Sequence, residues 1–561
     1  MGIPSYFSFI IRNHPDIITN LEQLLQSPAF QYSSTATPQQ PTSGFQHLFF
    51  DANSIIYDAF HALHKEHRAV PIPDFHDSLI FFPLLTQRVI EIIEKHIHFI
   101  QPSETLFIAF DGMPPPAKII QQKSRRFKTR HLDSMVKEFQ TLNQHQHQQT
   151  QPNKPTTPAW QTNMITPGTP FMTFLSDTLK THFKKRATQH PLIKIQILST
   201  STDPGEGEHK IFHYIRNHPP KPTDQIALYG LDSDLIMLSL LSVPNIYIFR
   251  EAPAFLASKI DDILQKVQQK HKFSHGHQTN HNTHANNNAN TRNQPPPPPL
   301  IPENLPPYFL NINRLANAIR QSQSTPTTSE TQQNPVYDYV FMCFLLGNDF
   351  LPHISALNLR TNGLHILNKQ YQQKRPKPLQ LIHPTTQTIQ WQQVLQLLEP
   401  IAKTERELLL QENTAFRKLP KPNPSKIQTD LELQEFITAA PQIYTAAREY
   451  IRPEIAKNWQ QRYRKVFPTA CPLRFLKQMF HTWEYYLGRL SNLEYITDAP
   501  PLIEDIVTTL QDFHPTRFDA IPPLQTFHFK NNEEYLAFVL DATPMTYDFT
   551  YSKMLWEVHV H

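Results

Sequence analysis

Seven carboxylates in this 561-residue chain stand where chemistry could use them. Asp51 follows the apolar run HLFF and Asp111 follows TLFIAF. Glu206 and Glu208 come a short turn after LIKIQILSTS, and Asp232 and Asp234 follow QIALYGL. Asp349, in LLGNDFLPH, closes an apolar helical run. Taken singly, each acid reads more readily as a helix cap or turn residue. Together, after successive strand-like runs, they would repel one another unless cations neutralise them. All-oxygen ligand sets suit hard divalent ions, Mg²⁺ or Mn²⁺. Two such ions, roughly 3.5–4 Å apart, form the arrangement that hydrolyses phosphodiesters, one activating water and one stabilising the leaving oxygen.

Glycine placement sharpens this expectation. The chain has 11 glycines, and Gly112, Gly205, Gly207, Gly230 and Gly347 each lie within five residues of one of these acids. Glycine admits positive φ and close backbone approach. In DPGEGEHK (203–210), Gly205 and Gly207 are therefore expected to turn the backbone until Glu206 and Glu208 face one metal, with Pro204 limiting the entropy of the turn.

Directly after Asp111 comes GMPPPAKIIQQKSRRFKTRH. Lys118, Gln122, Arg125 and Arg126 stand at i, i+4, i+7 and i+8, one face of a helix. A lysine, an amide and two arginines on one stripe make a phosphate receptor, because guanidinium forks onto phosphate oxygens. A solvated basic face has the same pattern; the adjacent acids favour the phosphate reading.

These residues need strands to deliver them. HLFFDANSIIYDAFHAL, TLFIAFDG (105–112), LIKIQILSTS (192–201) and QIALYGLDSDLIMLSLL (225–241) each read as a strand, with helix following. Such alternation predicts an α/β fold, a mostly parallel central sheet flanked by helices, with acids at the C-terminal strand ends where such sheets bind ligands. After about residue 355 helical spacing takes over, as in 402–419 and 473–490. Tracts 139–160, 271–307 and 321–334 are rich in Gln, His, Asn, Pro or Thr and read as loops or insertions. The histidines at 275–284 are irregularly spaced and read as a solvated tract rather than a zinc site. The expected organisation is an α/β nuclease-like region over 1–260, a low-complexity insertion and linker over 261–335, and a mainly helical region over 336–561 that completes the site.

Composition bounds the alternatives. At 65.3 kDa, with 39% hydrophobic and 11% aromatic residues, the chain is large enough for two or three cores. Lys+Arg 52 against Asp+Glu 48 gives a formal charge of +4, which permits a nucleic-acid partner without demanding one. Only Cys343 and Cys471 occur, which excludes a disulfide framework or a cysteine zinc site and points to a reducing compartment. No apolar run reaches the length of a membrane span. MGIPSYFSFI has neither a basic n-region nor Ser or Thr at position 6, where Tyr6 stands. A soluble intracellular protein, nuclear or cytoplasmic, is expected.

The ordered motifs resemble the XRN family of 5′→3′ exoribonucleases. They are MGIPSYFSFI, FFDANSIIYDAFH, AFDGMPPPAKIIQQKSRRFKTR, NMITPGTPFM, DPGEGEHKIFHYIR, ALYGLDSDLIMLSLL and DYVFMCFLLGNDFLPHI, spanning 1–354. TWEYYLGRL (482–490) and FKNNEEYLAFVLDATP (529–544) are similar to the closing segments of the family's core. The resemblance implies a PIN-like 5′ nuclease core and Mg²⁺-dependent, processive hydrolysis of single-stranded RNA from a 5′-monophosphate end, releasing nucleoside 5′-monophosphates. It implies Asp51, Asp111, Glu206, Glu208, Asp232, Asp234 and Asp349 as metal ligands of two ions. It makes Lys118, Gln122, Arg125 and Arg126 the 5′-phosphate pocket, closed to capped or triphosphorylated ends.

The chain departs from the family pattern at two places. Tyr57 stands where the family has a histidine that stacks on the terminal base; tyrosine can stack but supplies no imidazolium. After TWEYYLGRL the family has a Trp-, Tyr- and His-rich segment, whereas SNLEYITDAPPL here has no tryptophan, leaving Tyr495 as the aromatic. Two other functions fit parts of the pattern. A flap-type structure-specific 5′ nuclease would use a similar acid cluster but lacks the basic helix beside the Asp-Gly motif. A non-catalytic RNA-binding scaffold would be expected to have lost acids, and none is lost.

Overall fold

The computed structural model describes residues 3, 6–27, 30, 44–67, 78–123, 126, 162–189, 193–230, 232–251, 307–323, 334–373, 379–418, 450–527, 529 and 532–540. Seven strands form one sheet: β1 (Ile18–Asn20), β2 (His47–Asp51), β3 (Thr105–Ala109), β4 (Ile195–Ser199), β5 (Ile226–Tyr229), β6 (Ile246–Arg250) and β7 (Tyr308–Asn311). Their order is β1-β7-β6-β5-β2-β3-β4. The five strands β6, β5, β2, β3 and β4 are parallel, and β7 and β1 extend the β6 side in antiparallel register.

The burial of the strands explains why the sheet forms. Every residue of β3 and β5 is buried, as are the three central residues of β2. Strands covered on both faces need apolar side chains at odd and even positions alike. Phe49 pairs in register with Phe107 and Leu228, and these side chains enter one core. Phe50 pairs with Ile108 and Tyr229, one residue along, and enters the other. The second core is closed by the helices Asn53–His67, Ser78–Ile100 and Pro170–Gln189 through residues such as Ile56, Leu85, Ile93 and Leu175. The first runs without a break into the helical part of the chain, taking in Phe341, Leu357, Trp483 and Leu502. The architecture is therefore α/β with a mostly parallel sheet, followed by a helical region packed onto one face.

Chain direction across the sheet reverses between β2 and β5. From β2 the chain steps outward to β3 and β4, and from β5 it steps the other way to β6 and β7. Such a switch point opens a crevice at the C-terminal strand ends, where ligands of open α/β sheets sit. Asp51 ends β2, and Gly230 and Asp232 follow β5, so the two flank that crevice.

Strands β1, β6 and β7 add to the sequence expectation, and the expected 261–335 insertion needs correction. Tyr308–Asn311 is a fully buried strand, and the helix Ile312–Gln323 follows it with Ile312, Leu315, Ala316 and Ile319 buried. Residues 308–323 thus belong to the α/β layer. The four-residue strand, directly behind the proline run, has no alternation to reveal it, because it is covered on both faces. Tract 139–160, residues 271–306 and residues 324–333 lie outside the described residues. Among the described residues, no helix is long and apolar enough to cross a membrane.

Candidate active site

The sheet edge gathers the seven acids into two halves with different chemistry. In the outer half, Asp51, Asp111 and Glu208 bring one oxygen each to within 4.8 Å of one another. Asp111 is fixed on three sides. Asn53 donates Nδ2–H to Asp111 Oδ2 at 2.5 Å and accepts the Asp111 N–H at 3.1 Å, while Gly207 N–H donates to Oδ1 at 2.7 Å. Asp232 is exposed and near enough to Asp51 to raise its proton affinity.

Loop geometry after β4 explains the glycines. Gly205 has φ +98°, the region glycine favours, and a Cβ there would meet only Lys210 Cγ, at an ordinary contact distance of 4.0 Å. Gly207 has another reason. It opens the helix Gly207–Asn217, and a Cβ would lie 2.6 Å from Asp51 Oδ1. The expectation that both glycines serve the turn is therefore corrected: one turns the chain, and the other lets the helix start close against the acids.

The acids do not act as caps. Glu206 and Asp232 occupy the N-cap positions of Gly207–Asn217 and Ser233–Leu240, yet neither side chain bonds its own first turn. Glu206 turns instead into the buried half of the site. There Lys118 Nζ lies 2.6 Å from Glu206 Oε1 and 2.5 Å from Asp349 Oδ2. Tyr485 donates its hydroxyl to Glu206 Oε2 at 3.3 Å, and Tyr486 donates to Asp234 Oδ1 at 2.7 Å. Both tyrosines end the helix Pro472–Tyr486, so the helical region supplies donors to acids carried by the sheet.

Electrostatics follow that division. Burial, then Asp111 and Asp232, pushes the Asp51 carboxyl well above the usual range. Burial, then Glu206 and Asp51, does the same for Glu208. Burial raises Glu206 although Lys118 opposes it, and burial with Asp349 nearby raises Asp234 to about 6. Asp349 differs: burial would lift it, but the Lys118 ammonium overrides this and holds it well below the ordinary range. Burial, then Lys118 and Arg216, holds the His209 imidazole well below its ordinary range; its ring lies tilted against Tyr485, 3.9 Å between centroids, and it groups with Glu206 and Glu208. The donor set suits a hard divalent ion: three half-buried carboxylates with converging oxygens, whose mutual repulsion a cation would reverse.

The basic stripe begins beside this cluster on the helical residues 116–123. Lys118 and Gln122 are buried; Arg126 is half-buried and Arg125 lies outside the described residues. Lys118 is not left open to an anion but neutralises the inner acids, and Gln121 reaches Asp349 Oδ1 at 3.3 Å. Gln122 Oε1 accepts from the hydroxyl of Tyr535 at 3.2 Å. Tyr57 is half-buried against the second core.

Sequence reasoning missed the residues that hold the acids. Asn53 was within reach, two places after Asp51. Lys210, whose Nζ donates to Phe110 O and Thr200 O, ties the ends of β3 and β4 together. Tyr485, Tyr486 and Tyr535 are more than 250 residues from the side chains they meet, and no local pattern links them.

Family models match two stretches of the chain. Residues 1–252 match the family described as "XRN 5'-3' exonuclease N-terminus", and residues 330–465 match "Xrn1 helical domain". The chain belongs to the XRN family. Similar proteins include "5'-3' exoribonuclease 2" of Arabidopsis thaliana, 29% identical over 67% of this chain and 37% of its own length. The same-named protein of Kluyveromyces lactis is 30% identical over 73% of this chain and 39% of its length. The Drosophila melanogaster homolog is 30% identical over 66% and 41%. The chain thus spans about two fifths of the length of these XRN relatives. Six of the seven acids fall in the first matched stretch and Asp349 in the second, whereas Tyr485, Tyr486 and Tyr535 lie beyond both.

Proposed function

We propose that this XRN-family chain is a divalent-metal-dependent 5′→3′ exoribonuclease that hydrolyses 5′-monophosphorylated single-stranded RNA to nucleoside 5′-monophosphates. The observation that carries the reading is the convergence of Asp51, Asp111 and Glu208 at the sheet's switch point, with the Lys118–Gln122–Arg126 stripe alongside. Asp51, Asp111, Glu208, Asp232 and the inner acids Glu206, Asp234 and Asp349 would hold two Mg²⁺ or Mn²⁺ ions. Bound there, the ions supply activation of water and charge stabilisation of the leaving oxygen.

The chain's own residues set the rest. Asn53 and the Gly207 N–H hold Asp111 in one orientation, so the outer carboxylates are fixed before substrate arrives. Lys118 joins the acid cluster to the basic stripe, placing a 5′-terminal phosphate next to the scissile bond. Gln122, Arg125 and Arg126 would bind that phosphate, and Tyr57 would stack on the first base. Asp349, Tyr485 and Tyr486 come from the helical region, which on this reading is a second domain that completes the site. Without the Trp-rich segment, Tyr495 is left to support the strand, and shorter processive runs are expected.

Three RNAs identical except for a 5′-monophosphate, hydroxyl or triphosphate test the reading, with Mg²⁺ present and Asp232→Ala/Asp234→Ala as control. Mononucleotides from the monophosphate RNA alone, absent with the variant, are expected. Equal cutting of all three would remove the phosphate pocket from the reading and favour an endonuclease.

A further inference from the structure

The helix Asn532–Leu540 lies across the start of the basic stripe. Its Tyr535 and Val539 form a small core with Ile119, joined by Met113, Phe529, Leu536 and Phe538. Lys123 Nζ sits 4.1 Å from the centre of the Phe538 ring. Met113 follows the Asp111–Gly112 pair directly, so this one helix covers both the outer metal loop and the phosphate helix.

Tyr535 is fully buried, and its hydroxyl donates to Gln122 Oε1 at 3.2 Å. A buried O–H left without an acceptor is costly, so the hydroxyl selects one of the two orientations of the Gln122 amide. With Oε1 turned to Tyr535, Nε2 points to the opposite side of the amide and remains a donor, the polarity an anion needs. Burial chiefly raises the proton affinity of the hydroxyl, and the site acts on it as well: Arg126 lowers that affinity, whereas Asp111 and Glu206 raise it. Resting on the proposed 5′-phosphate reading, we infer that Tyr535 is a positioning residue for 5′-end selection, fixing the Gln122 amide with its N–H donor toward the terminal phosphate. The residue that sets end specificity would then lie more than 400 positions from the amide it orients.

The test uses the full chain with Mg²⁺ and two RNAs that differ only in a 5′-monophosphate or 5′-hydroxyl, read as the ratio of kcat/KM values. Tyr535→Phe keeps the ring in its core and removes only the hydroxyl. A charge-assisted hydrogen bond loses most of its worth when its donor can turn away, so the ratio should fall about five- to tenfold. The melting temperature should stay within about a degree or two of wild type, since the apolar contacts remain. Gln122→Glu keeps the acceptor for Tyr535 but removes the donor, and should lower the ratio at least as far. The double variant should be no worse than Gln122→Glu alone. A wild-type ratio in Tyr535→Phe, or additive losses in the double variant, overturns the positioning role and leaves the phosphate pocket standing. A wild-type enzyme that cuts both RNAs alike overturns the pocket and this inference with it.

Discussion

Gly205 and Gly207 are two residues apart, yet the structure gives them separable consequences. An alanine at 207 would put its Cβ 2.6 Å from Asp51 Oδ1, so that carboxylate must move by about an ångström, a displacement that can cost on the order of a hundredfold in rate. Gly207→Ala should therefore lose about ten- to a hundredfold in kcat while melting near the wild-type temperature, because alanine suits the first turn of a helix. Gly205→Ala meets no close contact but must hold φ +98°, and should lose about 1–2 kcal/mol of stability with smaller loss of kcat. Parallel kcat and melting measurements decide the matter; equal effects at both positions would contradict this division. Six of the acids were legible because they follow strands, and strands announce their ends; Asp349 instead follows the short helical turn Phe344–Leu346. What stayed hidden is which acids bond the protein's own lysine and tyrosines, since Lys118, Tyr485 and Tyr486 reach them only through the tertiary fold.

Elements are joined by a few buried polar contacts whose proton balance should be measurable. Glu405, at the start of the helix Glu405–Arg417, accepts the N–H groups of Ile503 and Glu504 at 2.8 and 3.1 Å. It thereby caps the helix Ile503–Gln511, whose own N-cap is Leu502. Burial lifts the Glu405 carboxyl to about 7, against an ordinary 4.5. Between those values the folded chain keeps a proton that the unfolded chain releases, so stability falls as pH rises through that window. Each tenfold change in proton affinity is worth about 1.4 kcal/mol, which makes the full effect roughly 3 kcal/mol. Melting with Mg²⁺ present should show a lower transition at pH 7.5 than at pH 5.5, with a shallower slope in Glu405→Gln. An unchanged slope in that variant would remove Glu405 as a source. Asp338, also lifted to about 7 by burial, adds a contribution of the same sign. This cap was illegible because its side chain and helix are about a hundred residues apart, while the helices themselves were legible from their apolar spacing. The sheet was readable where strand and helix alternate, and failed at the parallel strand β6 and at β1 and β7, which are short, antiparallel additions at one end.

Across the whole molecule, the site is the joint between the sheet and the helical region. One core runs from Phe49 and Phe107 through to Trp483, and above it Asp234 meets Tyr486 while Lys118 spans Glu206 and Asp349. The inner acids are therefore neutralised by contacts that hold the two regions together. In the outer group, Asp51 and Glu208 are both pushed well above the ordinary range, by burial first and then by neighbouring carboxylates, which outweigh the nearby Lys118 ammonium. Their repulsion is present in the folded chain and relaxed in the unfolded one, so it subtracts from stability until a cation offsets it. Mg²⁺ or Mn²⁺ at a hundred times its Kd should then stabilise the folded state by about 2.7 kcal/mol and raise the melting temperature by a few degrees. Ca²⁺, also an oxygen-seeking ion, should raise it too even if it supports no cleavage, which separates binding from chemistry. Asp51→Asn removes one charge from the outer group, so its metal-free form should melt at or above wild type and show little further rise on adding Mg²⁺. A metal response in Asp51→Asn equal to that of wild type would place the ion elsewhere. If wild type shows no response to any of these ions while Asp51→Asn still melts higher, the outer acids are a repulsive cluster without the ion assigned to them.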